Sequence, residues 1–148
     1  MRKRFIILSG IAAIALTLGA VSAPAFAADT AVATKASELL FSGVWTKKSF
    51  KSSGTWEIFS EGDKTFVKLS ADFKTRKAPD LKIFLSPLAA KDTNGRNAAN
   101  GSVLIAPLTS RSGEQIYEIP EGIDFADFKS ILIHCEAYAK LWSAADLR

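Results

Sequence analysis

From Glu38 to the C-terminus, no stretch of this chain sustains the apolar period of an amphipathic helix. Its apolar residues instead occupy short segments bounded by turn formers. The segments run Phe41–Trp45, Thr46–Phe50, Thr55–Ser60, Thr65–Ser70, Leu81–Leu85, Val103–Leu108, Gln115–Pro120, Ile131–Ala137 and Tyr138–Trp142. Trp56 and Ile58, then Val67 and Leu69, sit on alternate positions, as side chains of half-buried antiparallel strands do. Ser52-Ser53-Gly54, Glu61-Gly62-Asp63-Lys64, Asn94-Gly95 and Asn100-Gly101 supply the turns, since Gly and Asn tolerate positive φ. Asp124–Phe128 is expected to form one helical turn with Asp124 as its N-cap. The expected fold is all-β, a single-domain antiparallel β-sandwich or barrel over residues 38–148.

The first residues carry a different pattern. Arg2-Lys3-Arg4 precedes an apolar run from Phe5 to Val21, and Ser22–Ala27 ends in the small residues of an A-x-A site. This predicts a general secretory signal peptide over 1–27, cleaved after Ala27, then a flexible leader over 28–37 and a periplasmic or secreted bacterial protein. No membrane span remains after that removal. Asn100-Gly101-Ser102 is a glycosylation sequon without consequence in such a host.

Composition removes much chemistry. The whole chain has 19 basic and 15 acidic residues; without the three basic residues of the signal, 16 face 15. That balance is not a nucleic-acid footprint, which needs a concentrated basic face. Met1, His134 and Cys135 are each the sole residue of their type. One chain therefore supplies no blue-copper set, no four-ligand zinc site, no C-x-x-C-H haem attachment and no internal disulfide, and no metal site is expected. Hydrolase, kinase and metalloprotease signatures are missing, so a conventional enzyme is not expected. Carboxylate pairs for glycoside hydrolysis stay open, although Asp80, Asp124 and Asp127 fall where acids commonly fix turns.

Two stretches, DFKTRKAPDLKIFLS at 72–86 and GEQIYEIPEGIDFADFKSILIHCEAYAKLWSAADL at 113–147, resemble the DM13 domain. The features that carry the resemblance are Asp72-Phe73, Pro79-Asp80-Leu81 with Leu85-Ser86, Tyr117-Glu118-Ile119-Pro120, Cys135, and Trp142 to Leu147. Phe41-Ser42-Gly43 resembles the family's first strand, so the likeness covers about residues 41–147. The chain departs from the family in Ala78, where Gly is frequent, and in His134, where an aromatic residue often precedes the Cys. The resemblance implies a β-rich extracytoplasmic electron-transfer module whose thiol acts bare or through a bound prosthetic group, a haem-like one by analogy. It also implies a redox partner protein or small ligand in the cell envelope, and a monomer or a Cys-linked dimer.

Cys135 is thus the candidate redox thiol. Strand alternation puts it on one face with Ile131, Ile133 and Ala137, an apolar company in which a thiol is often an inert small hydrophobe. The alternative function is accordingly a non-catalytic binding module with a structural Cys, presenting loop 89–102 or the Asp80 turn. His134 falls on the other face with Leu132, Glu136 and Tyr138, and is expected to be solvated. Pro79, Asp80, Tyr117 and His134 are the candidate ligand-binding or turn-fixing residues. The aromatic residues Trp45, Trp56, Trp142, Tyr117 and Tyr138 are expected in the core or at the edges.

Overall fold

The computed structural model describes residues 36–148; the expected signal, its cleavage site and residues 28–35 of the leader lie outside them. Nine strands form: β1 (Ser37–Val44), β2 (Thr46–Lys47), β3 (Thr55–Glu61), β4 (Lys64–Leu69), β5 (Leu81–Ser86), β6 (Val103–Pro107), β7 (Gln115–Glu118), β8 (Ser130–Cys135) and β9 (Lys140–Asp146). They build a four-stranded sheet in the order β1-β3-β4-β7 and a five-stranded sheet in the order β2-β9-β8-β5-β6, with every pairing antiparallel. The fold is a β-sandwich, and helix appears among the described residues only as two 3₁₀ turns. The first turn, Phe125–Asp127, is capped as the sequence predicts, with the Asp124 carboxylate accepting from Ala126 N–H at 2.9 Å.

Alternation places Trp56, Ile58, Val67, Leu69 and Tyr117 of one sheet against Ile83, Leu85, Ile131, Ile133, Cys135 and Trp142 of the other. Trp56 is fully buried and lies 6.2 Å from the Trp45 ring, which also meets Phe73 edge-on. Gly43 makes room for this indole, because a Cβ there would come within 2.9 Å of the Trp56 ring.

A second, smaller core lies on the outer face of the five-stranded sheet. Phe84, Leu132, Leu141 and Ala144 are covered there by Ala90 and Ala98 of the segment 87–102. That segment is pinned rather than presented. Asp146 Oδ1 accepts from Ala90 N–H at 2.7 Å and Ser130 Oγ donates to Leu88 C=O at 2.7 Å, while Asn94 Oδ1 closes a turn within the segment by accepting from Arg96 N–H at 2.9 Å. At its tip, Gly95 comes so close to Ala139 C=O that no side chain would fit. As a consequence all six residues of β8 are buried.

The end of β8 differs from the sequence reading. The strand stops at Cys135, and Glu136–Tyr138 form a 3₁₀ turn closed by Ala139 in the left-handed region at φ 47°. Ala137 is therefore exposed and does not share the face of Cys135, and the last strand begins at Lys140 rather than Tyr138. An alanine in that conformation costs about 1–2 kcal/mol, a local strain the surrounding pairs must offset.

Candidate functional site

Cys135 is the last residue of β8, paired in register with Leu81 of β5 and Lys140 of β9. Its side chain points between the sheets and is wholly inaccessible. It shares the main core with Leu81 and Trp142, and Ala78 packs against that core from the preceding loop. Two hydrogen bonds hold the loop across this end of the sandwich. Trp142 Nε1–H donates to Arg76 C=O at 3.1 Å, and Glu136 N–H donates to Asp80 C=O at 3.2 Å. Asp80 therefore fixes the turn that follows Cys135 with its main chain. Its carboxylate pairs with Lys82 at 3.4 Å, and Lys82 Nζ also bonds the Glu136 carboxylate. The Glu136 hydrogen bond is the main reason the Lys82 pKa is raised.

Lys77, Pro79, Asp80 and Leu81 line a cleft of about 350 Å³ whose other wall is Pro107 to Arg111. Tyr117 does not reach it. Tyr117 is buried, with its hydroxyl donating to Gln115 Oε1 at 2.6 Å and lying 3.0 Å from the Thr109 hydroxyl of the cleft wall. It buttresses the cleft from inside. The fold thus gathers Cys135, Asp80 and Pro79 at one end of the five-stranded sheet and links Tyr117 to them through Thr109. Sequence reasoning missed Lys82 and Glu136, although Asp80 and Lys82 share a face by simple alternation. It also missed Lys77 and Arg111, whose only trace in the sequence is that their own segments carry no acid.

His134 corrects an expectation. It is 3% exposed rather than solvated, because segment 87–102 covers the face it points to. Its ring meets Phe84 edge-on at 6.1 Å, and Nδ1 is buried without a hydrogen-bond partner. Desolvation lowers its pKa below the usual value near 6.5, against the smaller upward pull of Glu136, Asp80 and a backbone hydrogen bond with Lys140. A folded-state pKa below the unfolded one means the unfolded chain binds the extra proton first. The stability that neutral His134 contributes is present above pH 6.5 and is lost as pH falls through the folded value. Unfolding free energy is expected to drop by up to about 1.4 kcal/mol per pH unit in that window. The His134→Phe variant, followed by denaturant titration between pH 7 and pH 5, should lose that slope; an unchanged slope would assign it to other groups.

A haem-like group does not fit these residues. Cys135 is enclosed in packed core, His134 points to the opposite face of the same strand, and neither lines the five principal clefts, which span about 170 to 400 Å³. Among the described residues no three His, Cys, Asp or Glu side chains cluster as metal ligands.

The structure is thus a β-sandwich module with one buried thiol at a strand end. The sequence model of the electron transfer DM13 family matches residues 44–147, and the chain belongs to that family. No curated protein and no solved structure matches the chain significantly. No helix among the described residues is long and apolar enough to cross a membrane.

Proposed function

We propose that the chain is exported, is cleaved after Ala27, and acts in the periplasm or outside the cell as an electron-transfer module whose redox group is the Cys135 thiol. The observation that carries this reading is the position of the only cysteine in a chain of this family. It ends β8, and its register partner Leu81 lines the cleft of Lys77 to Arg111. With a single thiol, the chemistry is exchange with a partner's disulfide. The thiol loses its proton to water, and the thiolate sulfur attacks one sulfur of the partner disulfide. A Cys135–partner disulfide forms while the other partner sulfur leaves as thiolate. A thiolate of a second, dithiol partner then attacks the Cys135 sulfur of that mixed disulfide, and the first partner leaves with both of its sulfurs reduced. The second partner's other thiolate attacks its own sulfur in the new mixed disulfide, closes an internal disulfide and releases Cys135 as thiolate. Two electrons pass from the second partner to the first. Access to the sulfur requires local opening of the exposed 136–139 turn, the kind of small unit that opens without global unfolding.

The complete burial of Cys135 favours a second reading, in which the thiol is a small core hydrophobe and the module binds an envelope ligand or protein. Mass spectrometry of unreduced protein from its own exported fraction separates them. The redox reading expects the mass of residues 28–148 with a reducible adduct, or a reducible dimer. A bare monomer that never acquires an adduct would favour the second reading, and a full-length chain retained inside the cell would overturn export.

A further inference from the structure

The segments closing one end of the sandwich carry a charge pattern that thiol chemistry alone does not explain. Residues 50–53, 73–76 and 111–113 run side by side. Ser53 N–H donates to Lys74 C=O at 2.9 Å, Thr75 N–H to Arg111 C=O at 2.8 Å, and Gly113 N–H to Phe73 C=O at 2.9 Å. A buried chain of hydroxyls, Ser143 to Ser52 and Ser52 to Thr75, each 2.9 Å, ties them to β9. This arrangement turns Ser52, Phe73 and Thr75 inward and leaves Lys51, Lys74, Arg76, Lys77 and Arg111 in solvent.

Among the described residues none of these five cations has an ion-pair partner. The nearby acids are engaged elsewhere: Asp72 accepts from Ser70 Oγ at 2.6 Å, Glu114 pairs with Lys68 at 3.1 Å, and Asp80 pairs with Lys82. The Arg76 guanidinium is held 4.9 Å from the Phe50 ring centre, and Phe50 packs 4.2 Å from Trp142. Lys77 and Arg111 line the cleft that Leu81, the register partner of Cys135, also lines. Uncompensated like charges around a cleft with low-dielectric walls concentrate a positive field there.

We propose that this rim is the docking surface for the acidic face of a protein redox partner, which would place the partner's disulfide beside the Cys135 strand end. The partner's redox character rests on the electron-transfer reading above; the acidic chemistry rests on the rim. A protein face suits the site better than a lipid surface. The large exposed apolar side chains, Leu39, Val44, Leu104, Ile116 and Tyr138, all lie outside the three segments, whereas membrane adsorption needs apolar insertion beside the charges.

The test uses the folded chain with three probes: an oligo-glutamate peptide carrying a mixed disulfide, its oligo-lysine counterpart, and phosphatidylglycerol vesicles. Amide NMR is expected to map the acidic peptide to residues 50–53, 74–80 and 107–113. At about 0.01 M ionic strength, where the Debye length is ~30 Å, the acidic disulfide should modify Cys135 roughly 10- to 1000-fold faster than the basic one. That ratio should collapse toward one at about 0.15 M and in the Arg76→Glu/Lys77→Glu/Arg111→Glu variant. Shifts scattered elsewhere, or shifts unaltered in the variant, would overturn the docking surface. Tighter binding to the vesicles than to the peptide, lost in the same variant, would also overturn it and assign the rim to lipid. If neither disulfide reacts while the peptide still maps to the rim, the redox reading fails and the acidic docking surface stands.

Discussion

Replacing Cys135 with alanine is expected to reduce thiol–disulfide transfer to the uncatalysed background while the sandwich stays folded. The measurement is exchange between glutathione and a low-molecular-weight disulfide, with and without the folded chain. The chain has no second cysteine, so nothing else can form the mixed disulfide on which the proposed cycle depends. The structural loss is small. The substitution removes one group of about methylene size from the core, which costs on the order of 1 kcal/mol plus any residual cavity. The two effects separate cleanly: a variant with near-native unfolding and no exchange supports the thiol's role. A variant that exchanges as fast as the native chain would show that Cys135 is core filling and favour the binding-module reading.

The largest stability effect is expected at the opposite sheet. Trp56 is fully buried, packs against Trp45 and fills the space that Gly43 leaves. Its Nε1 has no hydrogen-bond partner, so removing the indole forfeits packing without breaking a hydrogen bond. Trp56→Ala should cost roughly 3–5 kcal/mol. For a domain of this size that corresponds to a Tm lower by roughly 10–20 °C. Phe59 is the comparison. It lies on the outer face of the same strand, half-buried and stacked 5.5 Å from Phe66. Phe59→Ala should shift Tm much less, and equal shifts for the two variants would contradict the placement of the core.

The strands were largely legible because a period of two is written directly in the residues. Trp56, Ile58, Val67 and Leu69 point inward as their alternation requires, and Asp124 caps its turn as its position before Phe125-Ala126-Asp127 suggests. Alternation also placed Cys135 and His134 on opposite faces. It could not say what covers each face. Segment 89–102 reads as a polar loop, and the hold of residues 87–102 on the outer sheet comes from Ala90, Ala98 and side-chain bonds such as Asp146 to Ala90, whose partners lie 56 residues apart. Local sequence carries no sign of such a contact, so His134 was expected in solvent. Nor does it show that Glu136 will leave the strand for a turn whose last residue is Ala139 at positive φ, where Gly is the usual occupant. The basic rim was hidden for another reason: its charges come from three separated segments, and summing over the chain cancels them against acids elsewhere.

A thiol enclosed in the sandwich can carry electrons only if it exchanges while the chain stays folded. Equilibrating the folded chain in glutathione buffers of graded redox ratio, with Cys135 followed by mass spectrometry under native conditions, decides this. The expected result is one glutathione per chain, gained and lost reversibly along a single titration curve, with no change in the unfolding midpoint of the reduced form. A Cys135 that stays unmodified at every ratio, and takes up glutathione only once denaturant has unfolded the sandwich, would make the thiol core filling and not an electron carrier.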